Sequence, residues 1–274
     1  MIEILQYEFM RNAMIAGLLA SIACGAVGSF IVVKRMVFIS GGIAHSSFGG
    51  IGLGYLLGFN PIIGALIFSL LSALGIGLIT EKGGRRQDTA IGILWAVGMA
   101  LGIIFIGLTP GYAPDLFSYL FGNILTVPSS DLILMAILDI IIIGIISLLY
   151  KELLAVSFDE EHASISGIPS TKLNLMIMCL TALTVVMLIR IVGMILVIAL
   201  LTIPAAVSEL FNTRLKNILF HSVILSAVFA IIGLFASYLF DLASGATIIL
   251  TAGITFFIAI LIKNLYSERT RLLV

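Results

Sequence analysis

Charge is what this sequence has least of. Basic and acidic residues number 14 each in 274, so charged side chains make up 10% of the chain, where a soluble globular domain carries about 25%. Hydrophobic residues fill 61% of it, and the mean hydropathy is +1.26. Polar surface this scarce cannot coat a water-soluble globule, so the missing solvent is lipid. An excess of basic charge is lacking too. The formal net charge is zero, which excludes a nucleic-acid binder, because neutralising phosphates takes a surplus of Lys and Arg on one face. Cysteine occurs only twice, as Cys24 and Cys179 inside apolar runs with no C-x-x-C partner, so neither a disulfide framework nor a thiolate zinc site is indicated. No Lys follows a Gly anywhere, which removes the P-loop and with it ATP hydrolysis by this chain. H-E-x-x-H and G-x-S-x-G are absent as well, and no enzyme constellation replaces them.

What is present is a series of apolar runs. A bilayer core about 30 Å thick needs roughly 17–25 helical residues, and about nine runs near that length recur: 13–33, 37–59, 62–80, 90–108, 132–149, 173–189, 191–206, 218–240 and 246–262. The seventh holds Pro204 near its end and follows the sixth almost without a break, so it also reads as a half-span or re-entrant segment, leaving eight or ten crossings open. The runs are continuously apolar rather than alternating, which selects helices over barrel strands. The predicted fold is therefore all-α, a polytopic transmembrane bundle forming one domain over residues 1–274. The acidic N-terminal stretch MIEILQYEF and the long first run ending at Lys34-Arg35 read as a retained span, not a signal peptide. Alternating nine spans places every basic residue except Arg11 and Arg190 on one side. The positive-inside bias makes that side the cytoplasm, with the N-terminus outside and the C-terminus inside. Gly50, Gly54 and Gly58, and again Gly98 and Gly102, fall at the spacing of close helix packing.

Few polar residues sit at membrane depth, and such residues mark transport pathways by default. The stretch SGGIAHSSFGGIGLGY carries His45 among Ser40, Ser46 and Ser47; a neutral imidazole is a ligand for divalent transition metals, or a partner for a neighbouring helix carbonyl. Asp139 interrupts the fifth span, either as a packing residue or as a proton or sodium site near a path. Arg190 reads as a topological anchor at an outer turn, and Asp241 as the start of a helix with Ser244 a second cap candidate. The cytoplasmic segment SFDEEHASISGIP, 157–169, has three acids followed by a Gly-Ile-Pro stop. That pattern predicts a short amphipathic helix whose acidic start suits its dipole, and which a mechanical partner could grip.

Taken in order, VVKRMVFISGGIAHSSFGGIGLGY, DTAIGILWAVGMALGI, SYLFGNIL, SFDEEHASISGI, VGMILVIALLTIPAA and DLASGATIIL resemble the membrane-spanning permease of ABC importers for divalent metals, the zinc and manganese family, over nearly the whole chain. The resemblance implies a type II importer-like homodimer with its pathway at the two-fold axis, two cytoplasmic ATP-binding subunits, and an extracytoplasmic metal-binding protein. It implies alternating access powered by ATP hydrolysed in another chain. No permanent cofactor is expected, only zinc, manganese or iron in transit. By the same resemblance His45 is the pathway histidine, and 157–169 is the coupling segment, with Phe158, Asp159, Glu160, Glu161, Ala163 and Gly167 against the ATPase. One departure stands out: Gly41 occupies the position, four before His45, where many relatives carry an Asp. The anionic half of a two-ligand site is then missing, which leaves a chelated metal or another small solute as alternative cargo. A rival class is an ion-gradient-driven transporter coupled through Asp139.

Overall fold

The computed structural model describes residues 6–83, 87–110, 119–120 and 122–271. Arg85, Arg86, the middle of the 109–131 loop and the side chains of Lys82 and Arg190 lie outside the described residues. The apolar runs fold as helices: α1 Glu8–Val33, α2 Val37–Leu57, α3 Pro61–Gly83, α4 Gln87–Leu108, α5 Ser129–Leu148, α6 Tyr150–Phe158, α7 Glu160–Ile165, α8 Ser170–Phe211, α9 Leu215–Phe240 and α10 Ser244–Arg271. A 3₁₀ turn, Ile124–Thr126, precedes α5. Helices satisfy every backbone group within themselves, which is why lipid-facing apolar runs take this form.

Among the described residues, eight helical stretches are long and apolar enough to cross a bilayer. Helix α2 is not one of them, although its 21 residues span about 31 Å at 1.5 Å per residue. Its serines, glycines and His45 lower its apolarity, yet it is the helix most enclosed by protein. It packs on α3, α4 and α8, while α1 packs on α5, α8 and α9. Helix α8 therefore joins two helical groups, and α10 closes against α8 and α9.

Glycines set how closely these groups approach. A Cβ on Gly98 would stand 2.5 Å from Ser46 Cα, and one on Gly52 would stand 2.5 Å from the Gly102 carbonyl oxygen. Gly50 and Gly64 face each other in the same way between α2 and α3. Where lipid offers no hydrophobic drive between helices, such backbone contact is the main source of packing. The spacing argument does not extend to Gly58, which caps α2 with nothing packed against it.

The long helix α8 is two spans, Ser170–Ile189 and Val192–Phe211, divided at Gly193, where φ is 76° and ψ 160°. Only glycine adopts that backbone without strain. Contacts along the bundle require a reversal there. Ser170 starts α8 beside α7, through a 2.6 Å hydroxyl contact with Ser164. Near the other end, Ser208 Oγ donates to the Ile218 carbonyl at 3.1 Å. Helix α9 runs antiparallel to α1, since Gly25 meets Val223 and Gly17 meets Ala230. Leu215 thus lies on the same side as Lys34, which itself bonds to the α6–α7 segment. Both ends of α8 stand on one side, so Val192–Phe211 is a full-length return helix, long enough to cross. Asp241 ends α9 with φ 52° instead of starting a helix: Ser237 Oγ donates to the Leu242 carbonyl just beyond it, at 2.6 Å, and closes the corner.

Candidate functional site: a caged histidine and a seated acidic helix

His45 lies two turns into α2 and is half-buried. Its ring stacks on the Trp95 indole of α4, with centroids 4.0 Å apart and planes 12° apart. Its Nδ1 is 3.5 Å from the Met99 sulfur, one helical turn further along α4. An indole face and a thioether thereby fix the ring plane, and with Nδ1 engaged by sulfur the Nε2 lone pair is the one left for a cation. The Trp95 ring also fills the space beside Gly41, where a Cβ would come within 3.2 Å of the indole. A side chain at position 41 would require that ring to give way by a few tenths of an ångström.

The three serines are buried and donate to backbone carbonyls. Ser40 bonds Val37 at 2.8 Å, Ser47 bonds Ala44 at 2.5 Å, and Ser46 bonds Gly42 at 2.7 Å and Leu94 of α4 at 3.1 Å. All three lie buried along α2 near His45, and Ser46 ties that helix to α4. Trp95 and Met99 were not among the residues singled out from sequence. A signal existed for the first: it is the one tryptophan of the chain and stands inside a span, whereas this residue type gathers at membrane interfaces. Among the described residues no group of three or more His, Cys, Asp or Glu could hold a metal. A single imidazole is thus not a complete metal site within one chain.

Asp139 sits elsewhere. It is 5% exposed, and among the described residues neither carboxylate oxygen has a hydrogen-bond partner. It lines a groove of about 1120 Å³ walled by Ile22, Ala26, Ile140, Leu219 and Val223, from α1, α5 and α9. His45 belongs to the α2–α4 group, so the structure does not bring these two polar residues together.

The acidic segment folds as the sequence predicts. Asp159 caps α7, its carboxylate accepting from the His162 amide at 2.9 Å, and Glu160 and Glu161 occupy the positive end of the helix. Gly167 stops it with φ 83°. Phe158, the last residue of α6, is 59% exposed and Ile165, the last of α7, is 80% exposed, so apolar side chains flank the short helix at its two ends. Ala163, expected on the outer face, is buried instead and packs with the core cluster that includes Leu153, Val156 and Leu173. It seats the helix on the bundle. Below it the Lys34 ammonium donates to the Val156 carbonyl at 2.8 Å and pairs with Glu160 at 3.7 Å. Burial pulls the lysine below its usual pKa, and the Glu160 carboxylate opposes that shift.

Known proteins resemble this chain over nearly its whole length. The ABC 3 transport family matches residues 6–263. An uncharacterized membrane protein of Synechocystis is 52% identical, with 96% of this chain and 94% of that one aligned. The manganese transport system membrane protein MntC of Listeria monocytogenes is 41% identical over 94% of this chain and 92% of its own. Among solved structures, PsaBC from Streptococcus pneumoniae in complex with Fab superposes with a TM-score of 0.85 at 38% identity, covering 94% and 93% of the two chains. The Listeria relative is named as a membrane protein of a manganese transport system. The chain belongs to the ABC 3 transport family, as a multi-pass membrane permease of metal transport rather than an enzyme.

Proposed function

We propose that this chain is the membrane subunit of an importer that moves a divalent metal cation into the cytoplasm by alternating access, driven by ATP hydrolysed in a partner subunit. The observation that carries the reading is the full-length similarity to a protein named for manganese transport, joined to a half-buried imidazole at membrane depth with one nitrogen free. Manganese is the cargo this favours, with zinc and iron as competitors for the same imidazole. Two copies would place two His45 rings at the central path, since one ring alone is an incomplete site. Nine crossings of residues 1–274, with the N-terminus outside and the acidic helix inside, agree with the sorting of basic residues.

Residues 157–169 would be the coupling segment, with Phe158, Asp159, Glu161, Ile165 and Gly167 toward an ATP-binding subunit. Cargo would arrive from an extracytoplasmic metal-binding protein. The test is metal content of cells carrying His45→Ala: the reading expects lost accumulation with normal membrane assembly, and unchanged accumulation would sink it. A rival reading has one observation in its favour, the unpartnered Asp139. An ion-gradient transporter coupled through that carboxyl would take up metal without any ATPase and would fail in Asp139→Asn. The importer expects the opposite on both counts.

A further inference from the structure

The corner between α1 and α2 is three residues long, and its middle residue, Arg35, holds φ 58°, a conformation that non-glycine residues seldom adopt. Backbone bonds close it: Arg35 N–H to the Val32 carbonyl at 2.9 Å and Met36 N–H to the Ile31 carbonyl at 2.8 Å. A tight, hydrogen-bonded corner moves as a unit, and it is rigidly continuous with α2, on which His45 stands about 12 Å further along at 1.5 Å per residue.

Lys34 belongs to this corner, yet its side chain reaches to a segment 122 residues or more away. Its side chain is 7% exposed, donates to the Val156 carbonyl of α6 at 2.8 Å and pairs with Glu160 of α7 at 3.7 Å. Glu160 is shared: its other oxygen accepts from the Asn174 amide of α8 at 2.6 Å. These groups wall a cleft of about 520 Å³ together with Arg35, Thr80 and Met178. The cleft leaves room for the corner and the short helix to shift relative to α3, while the polar contacts keep them joined. An ammonium this enclosed is unavailable to another chain, so its charge serves the inside of this one.

We propose that Lys34, Glu160 and Asn174 form a latch that converts displacement of α7 into displacement of the α1–α2 corner, and so of the helix bearing His45. The inference rests on the reading of α7 as the coupling helix. Glu160 is accordingly a positioning residue that transmits motion, rather than chiefly a contact for the ATPase.

The experiment uses the complete complex of permease and ATP-binding subunits in lipid nanodiscs and proteoliposomes, with manganese as the probe. ATPase co-purification, ATP hydrolysis and metal moved per ATP are measured for Lys34→Met, Lys34→Arg, Glu160→Ala and the double variant Lys34→Met/Glu160→Ala. The latch predicts wild-type co-purification and continued hydrolysis, with metal moved per ATP reduced about tenfold in Lys34→Met and Glu160→Ala. It further predicts recovery in Lys34→Arg and a double variant no worse than the worse single, because both act on one link. A wild-type ratio in Lys34→Met, strictly multiplying losses in the double variant, or loss of the ATPase subunits in Glu160→Ala would each overturn it. Wild-type transport in vesicles without ATP would instead overturn the importer reading beneath it.

Discussion

The three serines around His45 donate their hydroxyl protons to backbone carbonyls, which leaves the imidazole as the strongest ligand of that stretch for a divalent transition metal. The ring is oriented by Trp95 and Met99. Trp95→Ala removes the stacking face and should lower metal uptake while leaving the chain in the membrane; substitution by Phe, which keeps an aromatic face, should restore most of it. Uptake assays on the two variants, with surface labelling as the control for assembly, check this. The histidine and serines were legible in the sequence because polar residues are conspicuous inside an apolar run. The cage around them was not, since nothing in a single chain tells which side chain of a fourth helix lies against the second. Asp139 was equally conspicuous, and its separation from His45 is a tertiary fact. Asp139→Asn should leave ATP-driven uptake at the wild-type level.

At the level of elements, the acidic segment was readable in detail. Three acids, a Gly-Ile-Pro stop and the known bias of helix N-termini toward negative charge sufficed for α7. Its inward alanine was misplaced because a helix of six residues has no periodicity from which a buried face can be taken. Ala163→Arg forces a long charged side chain against Leu153 and Val156, and should detach the helix and abolish ATPase binding, measured by co-purification. Between α2 and α4 the constraint is backbone contact: Gly98→Val places carbon where Ser46 Cα stands, an overpacking that costs about 1–3 kcal/mol or more, visible as a lowered melting temperature in detergent. Gly193 is a constraint of another kind. An alanine there is held in a region nearly closed to it, at a cost of about 1–3 kcal/mol, and the same melting measurement detects it. The reversal at Gly193 was not decided by sequence, because a Gly inside an apolar run is ordinary in membrane helices and only its φ distinguishes a turn from a packing residue.

Over the whole molecule, apolar length and continuity gave the all-α bundle, and the lopsided distribution of basic residues gave an orientation. The grouping of α2, α3 and α4 on one flank of α8, and of α1, α5 and α9 on the other, follows from small-residue contacts that hydropathy does not encode. It places His45 and α7 on either side of the Lys34 corner, along which the proposed latch would act. The central claim is that this bundle passes a divalent metal only when an attached motor hydrolyses ATP. Manganese uptake into proteoliposomes bearing the permease, its ATP-binding subunits and the metal-binding protein tests it most directly. The account predicts uptake that requires ATP and disappears in His45→Ala. Equal uptake without nucleotide, or undiminished uptake in that variant, would contradict it.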